Sequence, residues 1–315
     1  VIGLAACFAL LGAASNAVGT ACQRKAAATV PAGGGLRLLF ALARHPVWLA
    51  GIAGVVCSAM FQALALVNGP MALVQPLFIM ELPFALFIAG LLMRQGLPAP
   101  GWWAVGAMVG GLAMVLVAAD PSGSHDQAPM VRWVPALAVG LGVMAVAVVL
   151  ARASRSSLFR AAVLAAAAAT GNALTAAMLK SASATLETDG FAAFLTTWQT
   201  YGFAVLGVAS LLLLENALQA GSLAASQPAL TIGDATVSLL LGVLLFEEHI
   251  RTGIWLIPEL CGAGLILWGV VRLTRVVPHA QQTLAGEEPA PAPAGATPKL
   301  ARPEGPDGHT DGRAG

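Results

Sequence analysis

Apolar residues fall in blocks of membrane-spanning length, and short polar connections between the blocks hold most of the charge. A helix that crosses the hydrocarbon core of a bilayer needs about 20 apolar residues. Nine stretches meet that requirement: 2–22, 46–67, 70–93, 102–119, 133–151, 158–180, 193–214, 222–246 and 254–273. The first lacks a basic leading region and a clean cleavage site, so it reads as a transmembrane helix and not as a signal peptide. Trp48, Trp102, Trp103, Trp133, Trp198 and Trp255 lie near segment ends, as in an interfacial aromatic belt. The stretch "GGGLRLLFALARHP" (33–46) is apolar but short and carries two arginines. It reads either as an interfacial helix or as the remnant of a tenth span.

Charge in the connections sets orientation, because Lys and Arg concentrate on the cytoplasmic side. One side carries Arg24, Lys25, Arg37, Arg44, Arg94, Arg152 and Arg155. The other carries Arg132 and Arg251 against Asp120, Asp126, Glu187, Asp189, Glu247 and Glu248. With nine crossings the N-terminus is expected outside and the C-terminus in the cytoplasm, and Arg272 and Arg275 at the last exit agree. A tenth span would move the N-terminus inside.

Composition supports the same class. The chain is 58% hydrophobic and only 10% charged, against about 25% charged residues in soluble domains. A net charge of +1 and a single Tyr give no sign of a nucleic-acid surface. Cys7, Cys22, Cys57 and Cys261 lack metal-ligand or CxxC spacing and are expected to pack as small hydrophobes. Beyond about residue 276 the chain turns rich in Pro, Ala and Gly and reads as a disordered cytoplasmic tail.

The segments repeat. "ALVNGPMALVQPL" (65–77) sets over "ALQAGSLAASQPA" (217–229), pairing Ala65, Leu66, Gly69, Ala72, Gln75 and Pro76 with Ala217, Leu218, Gly221, Ala224, Gln227 and Pro228. The same ungapped frame carries Gly90 onto Gly242, Gly101 onto Gly253, Trp103 onto Trp255 and Gly110 onto Gly262. With a small shift, "SNAVGTACQRKA" (15–26) sets over "GNALTAAMLKSA" (171–182), placing Asn16 on Asn172. The expected organisation is a first repeat over 1–119, a linker with the fifth span over 120–157, a second repeat over 158–275, and the tail over 276–315. Equivalent helices stand five crossings apart, so the two halves would be inverted, as in many secondary transporters. The fold class is therefore an all-α polytopic membrane protein in two inverted repeats with a linker helix.

Several polar residues sit where lipid or protein surrounds them. Pro76 and Pro228 each free a carbonyl about four residues earlier, at Ala72 and Ala224. The adjacent Gln75 and Gln227 suit a cavity-lining kink, or a packed kink with Gln as interhelical glue. Glu81 and Asp234 fall midway along their spans. Intramembrane acids face water or partners and commonly carry protons or cations, so both are candidates for a coupling proton or for a hard cation such as Mg2+. The alternative is a protonated acid bonded to a neighbouring helix. Asn16 and Asn172 either touch a solute or hold helices together. Glu259 is a helix-start acid or a further cation ligand, and Lys180 is expected to snorkel to the surface. Glycines 90, 242, 110 and 262 are expected to let helices approach closely. No nucleophile constellation, phosphate loop or HExxH is present, so neither an enzyme nor a cofactor is expected.

The repeated Gly-Pro or Gly-Ser, Gln-Pro and Gly-x-Trp elements resemble the drug/metabolite transporter superfamily. "ALVNGPMALVQPLFIMELPFAL" and "ALQAGSLAASQPALTIGDATVSLLLGVLLFEEHIRTG" look like its bacterial branch related to NIPA-type magnesium transporters. The resemblance covers nearly all of residues 1–275. It implies an EamA-like transporter of two inverted halves around a central cavity, working without ATP in the cytoplasmic membrane. The usual ten-helix pattern is not met, which favours the NIPA-like branch. The implied cargo is a divalent cation such as Mg2+, or a small metabolite or drug exported against protons. A non-transporting scaffold or auxiliary subunit is the rival of another class. Expected partners are the solute and the lipid bilayer, with a homodimer left open.

Overall fold

A computed structural model of the chain describes residues 2–29, 44–93, 99–122, 125, 127–220, 223–251 and 253–276. Most of the 33–46 stretch and the tail from 277 lie outside the described residues, as do the surroundings of Gly90. The described part is helical with short connections, and its one β pairing among the described residues is an isolated antiparallel bridge between Ser122 and His249. The helices are α1 (Ile2–Thr29), α2 (Pro46–Asn68), α3 (Met71–Leu77), α4 (Glu81–Met93), α5 (Ala99–Ala119), α6 (Met130–Ala153), α7 (Ser157–Thr196), α8 (Trp198–Ala220), α9 (Leu223–Phe246) and α10 (Leu256–Val276). Among the described residues nine helices are long and apolar enough to span a bilayer, with α3, a 3-10 turn at Phe78–Met80 and α4 forming one broken span. The protein is an all-α, multi-pass membrane protein.

Helix boundaries follow the sequence repeat. The frame that sets Ala65 over Ala217 also sets Pro46, the first residue of α2, over Trp198, the first of α8. It sets their last residues, Asn68 and Ala220, together, and the first residues of α3 and α9, Met71 and Leu223. Packing follows suit: α1 lies against α2 as α7 lies against α8, and α1 meets α4 as α7 meets α9. The halves touch each other through α5 against α10 and α3 against α9.

Small residues make these contacts close. Helices in lipid gain little from hydrophobic burial and associate through tight backbone approach. A Cβ added at Gly111 would stand 2.6 Å from the Gly262 carbonyl oxygen, and one at Gly262 would stand 2.6 Å from the Gly111 carbonyl oxygen. Gly19, Gly51 and Gly54 serve the α1–α2 crossing in the same way. Gly110 has open space around it, so the close approach expected at Gly110 belongs to its neighbour Gly111. Alanines bury one face of α7 from Ala161 to Ala184, which makes α7 the hub touched by α2, α6, α8 and α9.

Other expectations need correction. α7 does not end near residue 180; helix runs to Thr196, and Gly190 at φ +83° and ψ −180° turns it. Only glycine adopts that backbone without cost. The next span therefore starts at Trp198 and not at 193. Trp133 does not face outward as a belt residue would: it is 1% exposed and packs edge-on against Trp198 (5.3 Å between centroids) and Phe246 (6.4 Å). Cys7, Cys57 and Cys261 are exposed and Cys22 half-buried, all unpaired, so they lie on outward helix faces and not in the core. Gln75-Pro76 interrupts its span, with the Phe78 N–H donating to the Gln75 and Pro76 carbonyls in the 3-10 turn. Pro228 is carried inside an unbroken α9.

Placing a side chain on the α5–α10 crossing should separate the halves. Gly262→Val and Gly111→Val are each expected to destabilise the detergent-solubilised protein by about 1–3 kcal/mol, the usual cost of overpacking. Gly110→Ala should leave its thermal transition unchanged.

Candidate functional site

A buried ion pair sits where three elements meet. Glu248 follows α9, and its side chain is 0% exposed; Lys180 lies on α7, and its side chain is 1% exposed. Their Nζ and Oε1 atoms are 2.8 Å apart. The snorkelling expected of Lys180 does not occur.

The first turn of α3 explains why the carboxylate is there. A helix begins with four N–H groups that have no partner within it. Pro70 precedes α3 and offers no side-chain cap. Its carbonyl accepts from the N–H groups of Leu73 (3.0 Å) and Val74 (3.1 Å). The remaining two, from Met71 and Ala72, donate to Glu248 Oε1 (2.6 Å) and Oε2 (2.8 Å). Glu248 thus caps a helix from the other half of the chain, where the positive end of the peptide dipoles favours an anion. Glu247, at φ +53°, turns the chain back after α9, and the Glu248 N–H donates to the Gly242 carbonyl at 3.1 Å. The carboxylate lies where a Cβ on Gly242 would stand. Lys180 also lies 4.4 Å from the centroid of the Phe246 ring, an attraction that gains strength away from water.

A polar cap covers this end of the bundle. Ser122 and His249 exchange N–H to carbonyl bonds of 3.0 and 2.9 Å. Arg251 pairs with Asp120 at 2.6 Å, and Glu247 pairs with Arg132 and with His125 Nδ1 (3.2 Å). Gln127 Nε2 donates to the Ser181 carbonyl and to Thr185 Oγ1, both at 2.8 Å, which ties the α5–α6 connection to α7. The hydrogen-bonded Arg132 guanidinium holds the exposed Glu247 carboxyl below the usual glutamate range.

Below the ion pair runs a seam of unpaired polar atoms. Asp234, Ser238 and Gly242 are spaced four apart on α9, so they share a stripe. The place of the missing Gly242 side chain is 3.7 Å from the Ala72 nitrogen, so this stripe meets α3. Gln75 Nε2, Ser238 Oγ and Asp234 Oδ1 are all shielded from solvent and have no hydrogen-bond partner. An unsatisfied buried polar group costs about 1–3 kcal/mol, so these three need an explanation.

The residues singled out from sequence fall unevenly around this seam. Asp234 lies on the α9 stripe, and Gln75 lies on α3, whose first turn meets that stripe. Glu81 is half-buried at the start of α4, and Gln227, Asn16 and Asn172 are half-buried on α9, α1 and α7. At a rise of 1.5 Å per residue, Glu81 and Asp234 both stand about 12–14 Å below the ion pair, measured from Ala72 and Gly242. Glu259 Oε2, on α10, is also buried and unpaired. Among the described residues no three His, Cys, Asp or Glu side chains converge as a metal site would require.

No family model matches the chain, and no solved structure matches it. Over 262 residues it is 27% identical to an uncharacterized protein of Corynebacterium glutamicum, a match that covers 80% of this chain and 88% of that protein. The likeness takes in most of both chains and brings no activity with it.

Glu248 and Lys180 escaped the sequence reading because each was assigned to the surface alone. The signal was present: a lysine inside an apolar segment needs a counter-ion, and the EE pair after α9 carries one acid more than the cap uses. Removing one partner of a buried pair strands the other charge, at about 3–5 kcal/mol. Lys180→Met should therefore lower stability more than the double change Lys180→Met with Glu248→Gln, as read by thermal unfolding. Gly242→Ala should destabilise as well by displacing the carboxylate. The Glu247–Arg132 contribution is fully present above the ordinary glutamate value of 4.5 and is lost as pH falls through the lower folded value. Amide exchange in the 127–130 connection should quicken across that acid range and lose this dependence in Arg132→Gln.

Proposed function

We propose that this protein is a secondary transporter that moves a small polar solute by alternating access, with the α3–α9 seam as its route and the Glu248–Lys180 pair closing one end. The observation that carries the reading is the set of unpaired donors and acceptors, Gln75, Ser238 and Asp234, on α3 and α9, two helices of different halves that touch each other. Such groups persist in lipid where a cavity or a passing solute satisfies them. The helix repeat and the break after Gln75-Pro76 fit the same plan, since interrupted helices near the midplane mark binding sites in inverted-repeat transporters. The reading agrees with the drug/metabolite transporter superfamily that the motifs resemble. By the distribution of Arg and Lys, the closed end faces outward and the C-terminus lies in the cytoplasm.

A mixed row of amide, hydroxyl and carboxylate suits an organic solute exchanged against protons, with Asp234 as the proton carrier. The equal depth of Glu81 and Asp234 favours a second reading, a divalent cation such as Mg2+, which prefers oxygen ligands and keeps several waters. A scaffold without transport would need neither acid.

Two measurements test these readings. In a background with the four cysteines replaced by Ser, Ser238→Cys should react with a membrane-impermeant maleimide from the cytoplasmic side only. Adding Lys180→Met and Glu248→Gln should open it to reagent from outside. No labelling from either side in both proteins would remove the route. Thermal stability across Mg2+, Ca2+ and common metabolites then separates the cargoes, because a ligand that binds the folded state raises its stability. Asp234→Asn should lose the Mg2+ shift under the cation reading, and the pH dependence of a metabolite shift under the other.

A further inference from the structure

At the end of the bundle opposite the ion pair, α6 and α8 each pack on α7 and leave a cleft of about 280 Å³ between them. Arg152 and Arg160 line it together with Asn216, and Val148, Leu164 and Leu213 supply its apolar wall. Ala151, Ala165 and Ala217 are buried beneath. We propose that this cleft is a binding site for an anionic phospholipid, with the phosphate between the two guanidiniums and the acyl chains along α6 and α8.

Charge is the first argument. Among the described residues Arg152, Arg155 and Arg160 all stand at this end, and no ion pair engages any of them. The acid next to the lining Asn216 in sequence, Glu215, is exposed and does not line the cleft. Two guanidiniums present paired N–H donors that match phosphate oxygens. The cleft also lies beside the first turns of α7, where the peptide dipoles are positive.

Continuity with the lipid-facing surface is the second argument. The apolar wall is flanked along the same helices by Val143, Val146 and Val149 of α6 and by Val208, Leu211 and Leu212 of α8, all strongly exposed. A free anion would use the arginines alone and leave that wall idle. A phospholipid uses both, and basic pockets between helices on the cytoplasmic side are suited to anionic headgroups.

The test is thermal unfolding of the full chain in nanodiscs of phosphatidylcholine alone and of phosphatidylcholine doped with phosphatidylglycerol. The doped discs should raise the melting temperature. Arg152→Gln with Arg160→Gln should lose at least half of that rise. Arg272→Gln, which removes an exposed arginine at the same end that sits over Trp268, should keep it. Native mass spectrometry should show phosphatidylglycerol retained by wild type and shed by the double variant. An equal rise in the double variant, an equal loss in Arg272→Gln, or the same stabilisation from inorganic phosphate in detergent would overturn the proposal. The last result would leave a free-anion site.

Discussion

One carboxylate organises one end of this protein. Taking a charged pair out of water costs several kcal/mol per ion, and attraction between the partners offsets this only when their remaining bonding capacity is filled. Glu248 meets that condition with an ammonium and two backbone N–H groups. Each donor comes from a different place in the fold than the acid itself. The pair therefore holds α7, the end of α9 and the start of α3 in one arrangement, and Phe246 and Trp133 pack around it as its apolar jacket.

Elsewhere the fold depends on the absence of side chains. Lipid gives helices no hydrophobic reason to stay together, so contact area and backbone proximity must do so. Gly111 against Gly262, Gly19 against Gly51 and the alanine face of α7 supply that proximity. The unpaired atoms of Gln75, Ser238 and Asp234 belong instead to α3 and α9.

Much of this was legible in the residues. Span number and approximate limits follow from segment length and hydropathy, and the repeat register anticipates where α2, α3, α8 and α9 begin. The misses share a cause. Apolar patterning reports that a helix is buried in something, but not whether that something is lipid or protein. Trp133 and Trp103 look alike in sequence, yet one is core and the other 77% exposed. Gly110 and Gly111 differ only by 100° around a helix, and repeat alignment chose the wrong one. Lys180 and Glu248 lie far apart in the chain, so no local pattern could join them. Gln75 and Asp234 were found because polar groups in a span are conspicuous without a partner; Ser238 was passed over because a lone hydroxyl in a helix is ordinary.

The ion pair also departs from the sequence repeat. In the frame that sets Ala65 over Ala217, Gly96 answers to Glu248, while in the shifted frame of the first helices Arg24 answers to Lys180. The repeat holds a cation at the second place and no acid at the first. Parting α3 from α9 at this end means stripping a buried carboxylate of three donors at once. A single glutamate from the second half thus acts as a latch on a helix of the first.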